Sequence, residues 1–171
     1  MIKPATAVPS LDLPLTNGAS YDLSKQNPDN FTLVVFYRGL HCPICKNQLQ
    51  KLSQKLAEFV ENGVNVVAAA MDAEDRAMEV HREWDTGNVP LAYGLTEASA
   101  REWGLYITEG REGTNEPAVF SEPGMFLVRP DGTLYFASVQ NAPFSRPPFD
   151  ELLDGIKYIV KNDYPTRGTL T

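Results

Sequence analysis

The stretch FTLVVFYRGLHCPICKNQLQKL, residues 31–52, decides the fold of this chain. Residues 31–37 are a nearly continuous run of β-branched and aromatic side chains, which is typical of a central strand buried on both faces. A short turn over residues 38–41 leads into a helix whose apolar positions are spaced three and four residues apart: Cys45, Leu49, Leu52, Leu56 and Phe59. Asn62-Gly63 predicts the end of this helix, and residues 64–70 predict a second buried strand. A helix between two such strands indicates a right-handed crossover in a parallel sheet.

The rest of the chain supplies shorter elements around this unit. Before it, a short strand or hairpin is predicted, turning at Asn17-Gly18. After it, the patterns predict a helix over 73–84, a helix over 97–103, a loop over 104–122, a hairpin of 124–128 with 133–137, and a last helix around 152–160. The sequence therefore predicts one α/β domain over residues 1–171, with a mixed sheet and helices on both of its faces.

The net charge and the N-terminal residues indicate which partners and which cellular compartment to expect. The formal net charge is −7, and such a surface repels phosphate backbones and anionic lipids, so we expect no nucleic acid and no membrane as partner. Residues 1–9 hold no apolar stretch long enough for a signal peptide. We therefore expect a cytoplasmic protein, in a compartment where thiols stay reduced. A close cysteine pair is then more often catalytic or metal-binding than structural.

Cys42 and Cys45 lie where the first central strand passes into its helix. Unpaired backbone N–H groups and the positive end of the helix dipole favour a thiolate at Cys42. Cys45 follows one turn later on the same face, at a spacing close to what a disulfide requires. Pro43 suits the first helical turn. Arg38 either places a cation beside the thiolate or is a solvated loop arginine.

Other interpretations of the pair are less well supported by the residues. A zinc site needs four ligands, yet there is no second cysteine pair, and only His41 and His81 remain as donors. The cysteines could also be inert and buried, as unpaired cysteines often are. We expect a redox pair without metal, flavin or nucleotide cofactor. His41, next to Cys42, is a candidate to tune the thiolate or to shuttle a proton.

Several segments resemble one branch of the thioredoxin-like proteins. FYRGLHCPICK, residues 36–46, resembles their active-site segment. AVPSLDLPLTNGASYDLS, AREWGLY and PGMFLVRPDGTLYF resemble the N-terminal hairpin, the short helix and the closing hairpin of peroxiredoxins of the AhpC/TSA type. The chain is identified as a peroxiredoxin-like member of the thioredoxin superfamily. The resemblance implies a thioredoxin-like fold, with a central mixed sheet flanked by helices and a peroxiredoxin-type N-terminal hairpin.

The resemblance implies roles for residues of the site, and two alignments disagree about the cysteines. Laid on the peroxiredoxin motif Pro-x-x-x-Thr-x-x-Cys, Arg38 replaces the proline, Cys42 the threonine, and Cys45 falls on the attacking cysteine. In the thioredoxin alignment Cys42 attacks and Cys45 resolves, which we favour because Cys42 should be better exposed and closer to the dipole end. Glu122 and Pro123 stand where peroxiredoxins carry an arginine that polarises the peroxide, so its role must pass to Arg38 or be missing. Pro123 aligns with the cis-proline of thioredoxins, and we expect a cis peptide bond there.

The implied activity is a thiol-dependent, antioxidant reduction of hydroperoxides through a Cys42/Cys45 dithiol–disulfide cycle. The pair would be reduced again by an external thiol, either a thioredoxin-like dithiol protein or glutathione. One alternative is a thioredoxin-like reductase of protein disulfides without real peroxidase activity, and another is a redox-inert binding module on the same fold. A homodimer is possible, although no residue requires one.

Overall fold

The computed structural model describes residues 2–170 of the chain. The strands of this part are β1 Asp12–Pro14, β2 Ser20–Asp22, β3 Phe31–Phe36, β4 Val64–Ala69, β5 Leu91–Ala92, β6 Ile107–Glu109, β7 Val119–Ser121, β8 Gly124–Val128 and β9 Leu134–Val139. The α-helices are α1 Pro43–Glu61, α2 Glu74–Glu83, α3 Glu97–Glu102 and α4 Phe149–Asn162. None of these helices is long and apolar enough to cross a membrane.

A five-stranded mixed sheet with the order β5-β4-β3-β8-β9 forms the centre of the fold. Strand β3 pairs in parallel with β4 and antiparallel with β8, so that Leu33 lies opposite Val66 on one side and Leu127 on the other. All six residues of β3 are buried, as expected of a central strand. Helix α1 joins β3 to β4 and ends at Glu61, with Asn62 as its C-cap. The predicted α/β class, the crossover and the mixed sheet are confirmed.

Two apolar layers cover the two faces of the sheet, because successive side chains of a strand point to opposite sides. Leu33 and Val35 face the layer that contains residues of α1, α2 and α4. Val34 and Phe36 face the layer formed by α3 and the N-terminal segment. In that second layer Trp103 packs between Phe36 and Phe126, with ring centroids 5.2 Å and 5.0 Å away. These layers fix both ends of β3, and thus the start of α1.

The small hairpins show where local pattern predicts well and where it does not. The N-terminal hairpin is confirmed, with β1 pairing antiparallel to β2 around the predicted turn. The loop predicted over residues 104–122 is wrong, because β6 and β7 pair there as an antiparallel hairpin. The two-residue strand β5 was also not predicted. Such short strands lack a readable period of two, and they exist because a neighbouring strand supplies their hydrogen bonds.

Candidate active site

The cysteine pair lies at the point where the chain leaves β3 and begins α1. Cys42 is the N-cap of α1, with an extended backbone (φ −106°, ψ 101°), and its Sγ accepts a hydrogen bond from the N–H of Cys45 at 3.2 Å. Pro43 is the first residue of the helix. A backbone N–H at this position would make no intrahelical hydrogen bond, so proline, which lacks it, fits there. The Sγ atoms of Cys42 and Cys45 lie 2.6 Å apart, and both thiols are reduced. The predicted adjacency of the two sulfurs at the helix start is therefore present.

Both cysteines are shielded from solvent. Cys42 is 1% exposed and Cys45 is 0% exposed. Cys42 is the more exposed of the two thiols, as expected, but only by this small margin. The segment between β9 and α4 folds back over the start of α1 and places Arg146 against both sulfurs. To reach the sulfurs, a large partner must displace the segment that carries Arg146, whereas a molecule of a few atoms needs a smaller displacement of that segment.

The environment separates the acidities of the two thiols. The pKa of Cys42 is lowered to about 6, first by the hydrogen bond from the Cys45 thiol and then by the backbone N–H of Cys45 and by the Arg146 guanidinium. Burial, together with the same hydrogen bond, raises the pKa of Cys45 well above its ordinary value. These shifts favour the thiolate form at Cys42 and the protonated form at Cys45. The helix N-terminus favours the same assignment.

Arg146 is the residue of the site that sequence reasoning did not find. Its Nη2 lies 3.2 Å from Sγ of Cys45 and 3.9 Å from Sγ of Cys42. Its Nη1 donates to Oε1 of Gln48, which lies on α1 one turn after the pair. The preceding Ser145 has a positive φ of 60°, which turns the chain so that Arg146 faces inward. Arg146 sits in a proline-rich bend about a hundred residues from the cysteines, so no local pattern marks it.

Arg38 reaches the site mainly through its backbone. Its N–H donates to Sγ of Cys45 at 3.4 Å. Its guanidinium lies 3.1 Å from a carboxylate oxygen of Glu122 and 3.9 Å from one of Glu116, and it stacks over the ring of Phe120 at 4.8 Å. Because its side chain is only 15% exposed, Arg38 is not the solvated loop arginine considered above. Its charge is shared with two glutamates, so Arg38 anchors the loop and makes only a small contribution to lowering the pKa of Cys42.

Asp72 holds the rest of the loop that carries the cysteines. It is buried, and its Oδ2 accepts the backbone N–H of Leu40 at 2.7 Å, while Nε of Arg76 donates to its Oδ1 at 2.9 Å. Gly39 has φ +126°, and a Cβ there would approach the Asp72 carboxylate to 2.7 Å, so glycine is required. His41 packs its ring on Phe120 at 4.5 Å. Burial and the nearby Arg38 lower the pKa of His41, which favours the neutral imidazole.

Pro123 borders the site, but its predicted cis peptide bond is wrong, because all peptide bonds within residues 2–170 are trans. The chain passes almost directly from β7 into β8 here. The N–H of Glu122 donates to the carbonyl of Tyr106 at 2.8 Å, and the carbonyl of Pro123 accepts from Gln140 at 2.9 Å. An extended trans connection permits both bonds, and trans is the less costly form. Pro123 and Arg146 line the same small cavity, so Pro123 remains next to the site.

Removing the charge of Glu122 should weaken the loop anchor. Glu122 is 4% exposed, accepts a hydrogen bond from Thr108 at 2.8 Å and neutralises Arg38. Glu122→Gln should lower the free energy of unfolding in urea by about 2 kcal/mol, since it leaves a largely buried guanidinium with only the more distant carboxylate of Glu116, at 3.9 Å. The control is Glu97→Gln, which breaks an exposed pair with Arg101 and should cost about 0.5 kcal/mol or less. Equal losses in the two variants would contradict the anchoring role.

Comparison with known proteins identifies the family of the chain. A sequence profile of the AhpC/TSA family matches residues 4–137. The ycf42 protein of Trieres chinensis, a peroxiredoxin by name, is 24% identical over 149 residues, which cover 82% of this chain and 68% of that protein.

Solved structures show the same fold. The peroxidoxin BcpB of Mycobacterium tuberculosis superposes with a TM-score of 0.74 at 19% identity, covering 93% of this chain and 99% of that one. The reduced 2-Cys peroxiredoxin of Plasmodium vivax gives a TM-score of 0.74 at 14% identity, covering 98% and 89% of the two chains. At these identities the likeness establishes the thioredoxin-like fold, while the profile match over most of the chain establishes the family. The chain therefore belongs to the AhpC/TSA family and is a thiol-based oxidoreductase.

Proposed function

We propose that this chain reduces hydroperoxides in a two-cysteine cycle in which Cys42 attacks and Cys45 resolves. One observation carries the assignment of roles. Sγ of Cys42 accepts hydrogen bonds from both the N–H and the S–H of Cys45, at 3.2 Å and 2.6 Å, at the start of a helix. These donors stabilise the thiolate of Cys42 and keep a protonated thiol within reach of it.

The first step transfers two electrons from sulfur to the peroxide. The Cys42 thiolate attacks the terminal peroxide oxygen, the O–O bond breaks, and the leaving oxygen takes a proton to become an alcohol or water. Cys42 is then a sulfenic acid. Cys45 attacks the sulfur of Cys42, its proton leaves with the hydroxyl as water, and the S–S bond forms. Two equivalents of an external thiol return the pair to the dithiol.

The Arg146 guanidinium supports the first step electrostatically. Negative charge moves from the Cys42 sulfur to the leaving oxygen, and both positions lie beside the guanidinium, which is 3.9 Å from Sγ of Cys42. In a site closed to water such a fixed donor stabilises developing charge strongly. The sequence offered only Arg38 for this role. Because Arg38 is paired with Glu122, Arg146 is the better placed cation.

The burial of the pair favours a small substrate over a protein disulfide. With Cys42 and Cys45 at 1% and 0% exposure, a substrate protein could not bring its own sulfur into line with Sγ of Cys42 unless the Arg146 segment moved. A hydroperoxide has only two oxygen atoms to place there. A redox-inert binding module does not require a thiol whose pKa is lowered to about 6, so the environment of Cys42 argues against that alternative. A homodimer and a cytoplasmic location stay predictions.

The direct test is the reaction of the reduced protein with hydrogen peroxide. Thiol loss is followed in a stopped-flow instrument, and the product is located by mass spectrometry. We expect oxidation at least about a hundredfold faster than that of the thiolate of unbound cysteine, as a site built for charge stabilisation implies, ending in a Cys42–Cys45 disulfide. Oxidation no faster than that of unbound cysteine would contradict peroxidase activity and favour disulfide exchange.

The pH dependence of the thiol reaction should report the lowered pKa of Cys42. Only the thiolate reacts, so the rate of alkylation by iodoacetamide should fall as the pH falls through about 6. An ordinary cysteine loses reactivity as the pH falls through about 8.5, its usual pKa. In Cys45→Ala the midpoint should rise, because the hydrogen bond that lowers the pKa most is lost. A wild-type midpoint at or above pH 8 would show that Cys42 is not the thiolate.

A further inference from the structure

Two arginines lie near the cysteine pair, and their partners differ. The guanidinium of Arg38 lies 3.1 Å from a carboxylate oxygen of Glu122 and 3.9 Å from one of Glu116. No carboxylate oxygen of residues 2–170 lies within 4.0 Å of the Arg146 guanidinium, which donates instead to an amide and to the sulfurs. Of the two cations, Arg146 is therefore the one whose charge no neighbouring carboxylate offsets.

The three nitrogen atoms of the Arg146 guanidinium have different surroundings. Nη2 faces the sulfurs, 3.2 Å from Sγ of Cys45 and 3.9 Å from Sγ of Cys42. Nη1 donates a hydrogen bond to Oε1 of Gln48. Nε is buried and has no hydrogen-bond partner among residues 2–170. Within that part of the chain, the Gln48 amide is therefore the one oxygen acceptor of this guanidinium.

Gln48 is fixed by the helix that carries the cysteine pair. It lies in α1 three residues after Cys45, and both Leu49 and Leu52 of the same helix are fully buried. Side chains of a helix lean towards its N-terminus, so a side chain at this position comes up beside the residue one turn earlier. The packing of α1 therefore sets the position of the Gln48 amide relative to the cysteines.

The segment that carries Arg146 has less support from its own backbone. Residues 141–147 make no backbone–backbone hydrogen bond within the described part of the chain. Pro143 and Pro147 lack a backbone N–H altogether. The side-chain bond from Arg146 to Gln48 therefore ties this segment to α1 beside the cysteine pair.

The geometry and the charge of the acceptor both matter for the sulfurs. A guanidinium is planar, so a partner that fixes one terminal nitrogen also fixes the direction of the other. With Nη1 of Arg146 on Gln48, Nη2 is directed at the two sulfurs. An amide oxygen does this without a net charge. A carboxylate at the same place would offset the positive charge and, as a negative charge near the thiol, would raise the pKa of Cys42.

We propose that Gln48 is a positioning residue of the peroxidase reaction: its amide holds the Arg146 guanidinium against the sulfurs without neutralising it. Gln48 exchanges no proton and no electron, and it acts only through Arg146. The inference rests on the proposed function, in which this guanidinium stabilises the leaving oxygen of the peroxide. The effect of Gln48 on the Cys42 thiol can be measured without peroxide, so its failure is distinct from a failure of the peroxidase reaction.

The first test replaces the neutral acceptor by a carboxylate of the same size. In Gln48→Glu the rate of oxidation by hydrogen peroxide should fall about tenfold at about pH 8, where the thiol of Cys42 is still largely ionised. The midpoint of alkylation by iodoacetamide should rise by about one pH unit, because a negative charge now lies near the thiol. A wild-type midpoint in Gln48→Glu would overturn the proposal.

The matched control for this variant is Gln54→Glu. It adds the same charge at an exposed position of α1, about 9 Å farther along the helix axis at 1.5 Å per residue. Its oxidation rate and its alkylation midpoint should stay those of the wild type. A midpoint that rises equally in the two variants would show a general effect of charge on α1 and would contradict the role of Gln48.

The second test asks whether Gln48 acts through Arg146. Gln48→Met removes the acceptor and keeps the length of the side chain, and it should slow oxidation by peroxide about tenfold, because the guanidinium loses its fixed direction. In the Arg146→Met background the same change should alter the rate by less than about twofold, since no guanidinium is left to position. Equal factors in the two backgrounds would show a structural effect independent of Arg146 and would overturn the proposal.

The two proposals have different signatures of failure. Slow oxidation of the wild-type protein by hydrogen peroxide would contradict the proposed peroxidase reaction. The alkylation midpoints of Gln48→Glu and Gln54→Glu would then still decide whether the Gln48 amide keeps the charge of Arg146 available to Cys42.

Discussion

Cys42→Ser is expected to abolish the consumption of hydrogen peroxide, leaving no more than the background rate. A serine hydroxyl at the helix start stays protonated at neutral pH, whereas the Cys42 thiol ionises with a pKa of about 6. The remaining Cys45 cannot replace it, because burial raises the pKa of that thiol. The measurement is peroxide loss with dithiothreitol as reductant.

Cys45→Ser is the companion variant with a different expected outcome. Cys42 should still react once with peroxide, but the sulfenic acid then has no thiol beside it. Mass spectrometry after dimedone treatment should find the adduct on Cys42 alone. If Cys45→Ser were inactive while Cys42→Ser consumed peroxide, the roles of the two cysteines would be reversed, as in the peroxiredoxin alignment. The matched Ser53→Ala variant, at a position on α1 away from the pair, should keep the wild-type rate.

Arg146→Met should slow the oxidation of the protein by hydrogen peroxide by about a hundredfold. Methionine fills a similar space but places no positive charge beside the leaving oxygen. The variant also removes the guanidinium that lowers the pKa of Cys42. The alkylation midpoint should therefore shift to higher pH in the same variant. The rate constant and the midpoint are measured by stopped flow and by a pH series with iodoacetamide.

Two further variants separate a charge effect from a structural one. Arg146→Lys should recover part of the rate, because it restores a cation without the fork of the guanidinium. Arg82→Met removes an exposed arginine of α2 and should leave the rate unchanged. A faster reaction in Arg146→Met would contradict the proposal, since it would mean that Arg146 only blocks access to the sulfurs.

Much of the fold can be predicted from sequence because its signals are local. The apolar run of β3, the three-and-four spacing along α1 and the stop at Asn62-Gly63 each depend on a few neighbouring residues. The cysteine pair at the helix start follows from the same local pattern, since N-cap geometry is set within one turn. The hairpin of β6 with β7 could not be predicted in this way, because each strand has three residues and gains its hydrogen bonds from the other.

The composition of the site beyond the cysteines depends on contacts between distant segments. Arg146 reaches the sulfurs across about a hundred residues of chain. Glu122, just before β8, neutralises Arg38, which follows the neighbouring strand β3. The same returning segment places Arg146 against both sulfurs, where Cys42 and Cys45 are 1% and 0% exposed.

By itself, the sequence determined the α/β class, the thioredoxin-like crossover and the position of two thiols at a helix N-terminus. Only the tertiary structure decided that Arg146 faces the thiols and that Arg38 is held by glutamates. It also decided that the peptide bond before Pro123 is trans. The physical reason is the distance along the chain over which each effect acts. Helix and strand periodicity and capping act over one or two turns, whereas the electrostatics of the site sum over every charge that folding brings near, whatever its place in the chain.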